Sequence, residues 1–234
     1  MDMNNMGQSP IITQADAGLS RFFAKIYSLV GMGIGLSAVI AALMLFVFPE
    51  NMIAIMTGGR MIYLGAIFLE LALVFVASSA ARRNTPWALP LFLVYSALNG
   101  FTMSFVIAAY TGAQVVGAFV SSAAVFFIMA AIGATTKKDL SGIGKFAIAT
   151  LLGLIIATLV NIFLHNTVLD YIITYLGVII FSALIAYDNQ KIQKGFARVN
   201  QDNYNNVTTW HALDLYLDFI NLFLYILRIL GKNK

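Results

Sequence analysis

Long apolar stretches separated by short polar ones set the pattern of this chain. Ile26 to Pro49 contains no charged residue, and about 20 apolar residues suffice to cross a bilayer. Gly31, Gly33 and Gly35 give that stretch a small-residue edge suited to close helix contact, and Pro49 and Glu50 end it. A second stretch, Ile62 to Ala81, is interrupted by Glu70 and stops at Arg82 and Arg83. From Asn84 to Thr136 there is again no charge. One helix of that length would run about 80 Å, far beyond a hydrocarbon core of roughly 30 Å, so it must turn back once. The turn falls at Tyr110-Thr111-Gly112-Ala113-Gln114. After the loop TKKDLSG come two more spans, a polar connection from Asn189 to Thr209, and a last apolar segment.

That last segment, ALDLYLDFINLFLYILRIL, differs from the others. His211, Asp214, Asp218, Asn221, Tyr225 and Arg228 recur at steps of three and four, which places them on one helical face. A carboxylate facing hydrocarbon is expensive, so this stripe must meet protein or water. The pattern predicts an all-α polytopic membrane protein with seven transmembrane helices. A polar tail covers 1–20 and the membrane domain 21–231, with spans at about 26–48, 62–81, 87–109, 115–134, 144–164, 171–188 and 211–230.

Composition agrees. The chain of 234 residues is 60% hydrophobic and 10% charged, where soluble domains carry about 25% charged residues. It has no Cys, which excludes disulfides and thiolate metal sites. The net charge of +4 reflects basic loop ends and calls for no nucleic-acid partner. The first twenty residues are polar and lack a positively charged leader, so no cleavable signal peptide is expected. An inside amino terminus puts ten of the 14 Lys and Arg on the inner side, against Arg60, Arg228, Lys232 and Lys234 outside. The basic carboxyl tail is the one discordant feature.

The segments TTKKDLSG (135–142), GLIIATLVNIFL (153–164), AYDNQKI (186–192) and LYLDFINLFLYILRILG (215–231) resemble the Bax inhibitor-1 family, as does YSALNGFTMSF (95–105). The resemblance covers nearly everything after residue 20 and is strongest to bacterial members with paired aspartates. It implies six helices around a central seventh, a bacterial inner (plasma) membrane location, and a pH-sensitive calcium leak controlled by one aspartate from each of the last two helices. Those positions match Asp188 and Asp218. An arginine at the inner end of the second helix pairs with the helix-six aspartate in such members, and the position falls at Arg82 or Arg83. Glu70 falls on an acidic or amide position of the family. Asn189 stands where Thr is common, and Asp214 adds a second acid to the last helix.

The residues support the pairing independently. Asp188 precedes Lys191 by three residues, about 5 Å from the inner boundary, and Asp218 follows Trp210 by eight, about 12 Å inward. One helix arrives at the inner face and the next leaves it, so the two carboxyls can meet. Close carboxylates share a proton and titrate together, which suits a pH-sensing gate. Glu70, Asp214, Asn221 and Tyr225 are the pore-lining candidates. Calcium, a hard cation taking oxygen ligands, would bind Asp188 and Asp218 weakly or in passage, and the expected partners are the bilayer, calcium and protons. No cofactor and no enzyme chemistry are expected. The paired aspartates lack the Gly-Asp contexts of intramembrane proteases, and no HExxH occurs. His211 and His165 read as interfacial polarity. The alternative function is a non-conducting regulator bound to a membrane protease or stress-response protein.

Overall fold

A computed structural model describes the backbone of residues 10–231, and side chains from residue 17 onward apart from Arg60. Part of the polar tail, and the basic residues Lys232 and Lys234, lie outside the described residues. The elements are helices throughout that range: α1 (Pro10–Ala42), α2 (Pro49–Thr57), α3 (Arg60–Arg82), α4 (Ala88–Ile107), α5 (Gly112–Thr135), α6 (Ser141–Leu164), α7 (Thr167–Gly195) and α8 (Tyr204–Gly231). A π-helical segment, Leu43–Val47, extends α1, and a 3-10 turn, Phe196–Arg198, follows α7.

Local chemistry fixes the breaks. Phe48 ends the π segment with φ −120°, and Pro49 opens α2, where its missing N–H costs no helical bond. Thr111 and Gln114 form a reciprocal capping box that starts α5, so the turn at Tyr110 to Gln114 is a helix start as well as a reversal. His165 ends α6 in the left-handed region with φ 49°, and Asn166 caps α7 by accepting from the Leu169 N–H at 2.9 Å.

Among the described residues six helices are long and apolar enough to cross a membrane: Ala17–Val47, Met61–Arg82, Ala88–Ile107, Gly112–Thr135, Ser141–Leu164 and Thr167–Arg198. The seventh predicted span falls on α8, whose 28 residues reach about 42 Å but carry Asp214, Asp218 and Arg228. α8 is the core of the molecule. Leu213, Leu215, Tyr216, Leu222 and Leu227 along it have at most 1% of their surface exposed. α1, α3, α4, α5 and α7 pack against it, while α6 stands on the outer side of α7. The exposed side chains of α6, such as Phe146 and Phe163, face away from the bundle.

Small residues set the tightest approaches, as expected where lipid tails are as apolar as Leu and association depends on packing. A Cβ on Gly100 would collide with the Ser37 backbone of α1, and one on Gly133 with the Ala186 backbone of α7. Of the glycine edge in the first span, Gly33 alone packs closely, against Phe92 and Tyr216, while Gly31 and Gly35 face open space. α7 and α8 both run further inward than their apolar stretches suggest. Asp188, Asn189, Gln190 and Ile192 lie inside helix α7 and are buried. Burial against neighbouring helices, rather than apolarity, carries the helix past residue 188.

Candidate functional site

Two polar clusters interrupt the apolar interior, both built on α8. The inner one joins the end of α7 to the start of α8. Asp188 and Asp218 are 8% and 5% exposed, and their carboxyl groups lie within hydrogen-bonding reach of each other. Asp218 Oδ2 is buried with no hydrogen-bond donor among the described residues. Lys191, one turn beyond Asp188 on α7, reaches Asp188 at 3.3 Å and Asp214 at 3.1 Å. Its ammonium also sits 4.7 Å from the centre of the Trp210 ring. The three acids of the inner approach and one lysine therefore share a single pocket of side chains.

The predicted arginine contact takes a different form. Arg82 stands with its guanidinium 5.2 Å from the Trp210 ring, a cation–π contact, and acts on Asp214 through space. Arg83 caps the end of α3 and is exposed. The cation that bonds the aspartates is Lys191, not Arg82 or Arg83. Its spacing from Asp188 is i to i+3 on one helix, a signal present in the sequence, but there it served only as a boundary mark. His211 is buried at 3% exposure beside Phe22, with ring centroids 6.3 Å apart, and its Nδ1 has no partner among the described residues. It is a core residue, where the sequence placed it at the membrane interface.

The second cluster lies deeper, between α1, α3, α4 and α8, and it holds Glu70. Asn99 Nδ2 and Thr102 Oγ1 both donate to the Glu70 carboxylate, the latter at 2.8 Å. Tyr216 donates to Asn99 Oδ1 at 2.8 Å and lies 2.6 Å from the Ser37 hydroxyl, which contacts the Ser96 carbonyl at 2.7 Å. The structure thus separates Glu70 from the aspartates and surrounds it with neutral donors. Asn99, Thr102, Ser37 and Tyr216 were invisible as a set because they come from three helices far apart in sequence.

The rest of the predicted stripe is quiet. Asn221 donates to the Leu217 carbonyl of its own helix at 2.8 Å. Tyr225 stacks on Phe181 at 5.8 Å. Arg228 meets Asp170 at 3.6 Å at the opposite end of the bundle. On the inner face, Gln190 binds the α5–α6 loop from both ends of its amide. Nε2 donates to the Lys138 carbonyl at 2.7 Å, and Oε1 accepts from the Leu140 N–H at 2.8 Å. Lys194 adds an ion pair to Asp139 at 2.5 Å. That hydrogen bond, with help from Ser141, pulls the Asp139 carboxyl down to about 2.

Among the described residues no three His, Cys, Asp or Glu side chains converge to hold a metal ion. In the inner cluster the carboxylates of Asp188 and Asp214 are partnered by Lys191.

Comparison with known proteins agrees with the resemblance in the motifs. The family model described as inhibitor of apoptosis-promoting Bax1 matches residues 19–234. A membrane protein of Streptococcus pyogenes serotype M1 is 55% identical over 97% of this chain and 100% of its own length. The inner membrane protein YbhL of Escherichia coli K12 is 37% identical over 99% of this chain and 100% of its own. A protein of Borreliella burgdorferi is 39% identical over 92% and 93%. With a match that spans all but the first residues, and relatives of full length, this chain is a membrane protein of the Bax inhibitor family.

Proposed function

We propose that the protein is a proton-regulated cation leak, with calcium as the permeant ion, gated where α7 and α8 meet at the inner side of the membrane. The observation that carries this reading is the buried contact between Asp188 and Asp218. Two carboxyls at that range are held together by a shared proton. Without it, two negative charges repel across a weakly screened interior, and Lys191, already divided between Asp188 and Asp214, offsets only part of that repulsion. Loss of the proton then favours separation of the two helix ends, which opens a polar route from the inner face toward Asp218. Beyond Asp218 the helix continues with the buried apolar side chains of Phe219 and Leu222.

The amino terminus in this reading is cytoplasmic, following the Lys and Arg distribution. The test is calcium entry into vesicles holding purified protein, measured across pH. Flux in the wild type rises with pH, and D188N and D218N flatten the profile. Identical profiles for wild type and both variants sink the gate. Wild-type vesicles without flux at any pH return the chain to the non-conducting regulator reading.

A further inference from the structure

A second feature lies outside both polar clusters. Between the outer half of α1 and the start of α5 there is a cavity of about 860 Å³. Its back wall is α8 itself, through Ile220 and Phe223, and its floor carries Ser37. α1 and α5 form its two sides, with Ala38 on one and Val116 on the other. Met52 of the short helix α2 closes it from one side.

Water is a poor occupant. A buried water needs two to four polar partners. The wall is almost entirely aliphatic and aromatic; of its two hydroxyl-bearing residues, Ser37 is already engaged by Ser96 and Tyr216, and Tyr110 stands apart from it near the start of α5. The cavity is also continuous with the outer surface that faces lipid. Phe46, Val116 and Phe119 line it and are at the same time among the exposed large hydrophobics, at 82%, 63% and 44%. An apolar recess that opens sideways onto hydrocarbon is filled from the hydrocarbon. Its volume lies within the roughly 300–1,000 Å³ of well-formed ligand sites. The π-helical Leu43–Val47 supplies Leu45 and Phe46 to the rim, and such segments recur at binding sites because they widen one turn of a helix.

We propose that this recess is a lipid site, which holds one acyl chain of a membrane phospholipid against α8. The headgroup stays at the outer boundary near Tyr110 and Gly112, and the chain runs inward past Ala38 to Ser37. The ligand class is a long unbranched acyl chain, recognised by shape and apolarity, without a charged anchor in the wall. The site stands independently of any leak.

The test uses the full-length protein purified in mild detergent. Native mass spectrometry of the wild type shows one phospholipid retained after the loosely bound lipids are stripped. A38F combined with A42F fills the recess and loses that lipid, while I156F on the exposed face of α6 keeps it. Equal retention in all three overturns the proposal. Because the filled variant could fail to fold, a second measurement reads the site in the near-native chain. V116W and I156W, each corrected for Trp87 and Trp210, are placed in vesicles with rising fractions of phosphatidylcholine brominated on its acyl chains. Quenching of V116W saturates at a lower brominated fraction than that of I156W. Superimposable curves mean ordinary lipid contact and overturn the site.

Discussion

The inner cluster and the Glu70 cluster use the same kind of group to opposite ends. At Asp188, Asp214 and Asp218, three acids gather around one lysine that bonds two of them, and Asp218 Oδ2 is left without a donor among the described residues. At Glu70 a single carboxylate is served by two neutral donors, and the chain of hydrogen bonds continues through Asn99 and Tyr216 to Ser37. The first arrangement is in balance only at a particular proton count. The second is satisfied as it stands and ties α3 and α4 to α8 and α1. Acids within a membrane are therefore not of one kind. Asp188 and Asp214 share one cation, whereas Glu70 has neighbours that each donate to it.

Substitutions can break that distinction. K191M has the largest expected effect on stability, since it leaves two acids without their cation. The lysine side chain keeps 31% exposure, which moderates the loss to at most about 3 kcal/mol, read from unfolding in mixed detergent. E70A follows at about 2 kcal/mol, because Asn99 Nδ2 and Thr102 Oγ1 lose their acceptor. Its calcium flux, if the leak reading holds, keeps the wild-type dependence on pH. A changed profile in E70A would erase the division between the clusters. Y216F removes the hydroxyl that joins Asn99 to Ser37 in the deeper chain and lowers stability by about 1 kcal/mol, with flux unaffected.

D139N comes last. The Asp139 carboxyl is held at about 2, below the 3.8 of an unperturbed group, so its pairing contributes fully above pH 3.8 and fades as pH falls toward 2. The pair is solvent-exposed and screened, so thermal unfolding at neutral pH and moderate salt barely moves. A large shift there would mean that the inner loop carries more of the fold than its exposure allows.

Much of this was legible in the chain. Long apolar stretches located the six helices that, among the described residues, are long and apolar enough to cross a membrane, because hydrocarbon admits so few alternatives. The pairing of Asp188 with Asp218 was implied by the family resemblance, and counting inward from Lys191 and Trp210 on two consecutive helices made it plausible without equalising their depths. The inner ends of α7 and α8 were misjudged, because a run of polar residues there is buried by helix packing that apolarity does not report. The short helix α2 was missed for a related reason: its nine residues are too few to show a period above their flanks. The choice of cation also escaped. Arg82 and Lys191 sit equally well near the boundary in sequence, and both meet the Trp210 ring, but only Lys191, one turn from Asp188 on its own helix, also bonds the acids.

Gln190 gives the inner surface a mechanical property. Its amide grips the backbone on both sides of Asp139, and it shares a helical turn with Asp188 and Lys191. A push or pull on the α5–α6 loop is therefore delivered to that turn through two bonds that cannot both be made by an acid or an amine. The loop is a handle on α7, attached through that turn and exposed at Lys138 and Asp139.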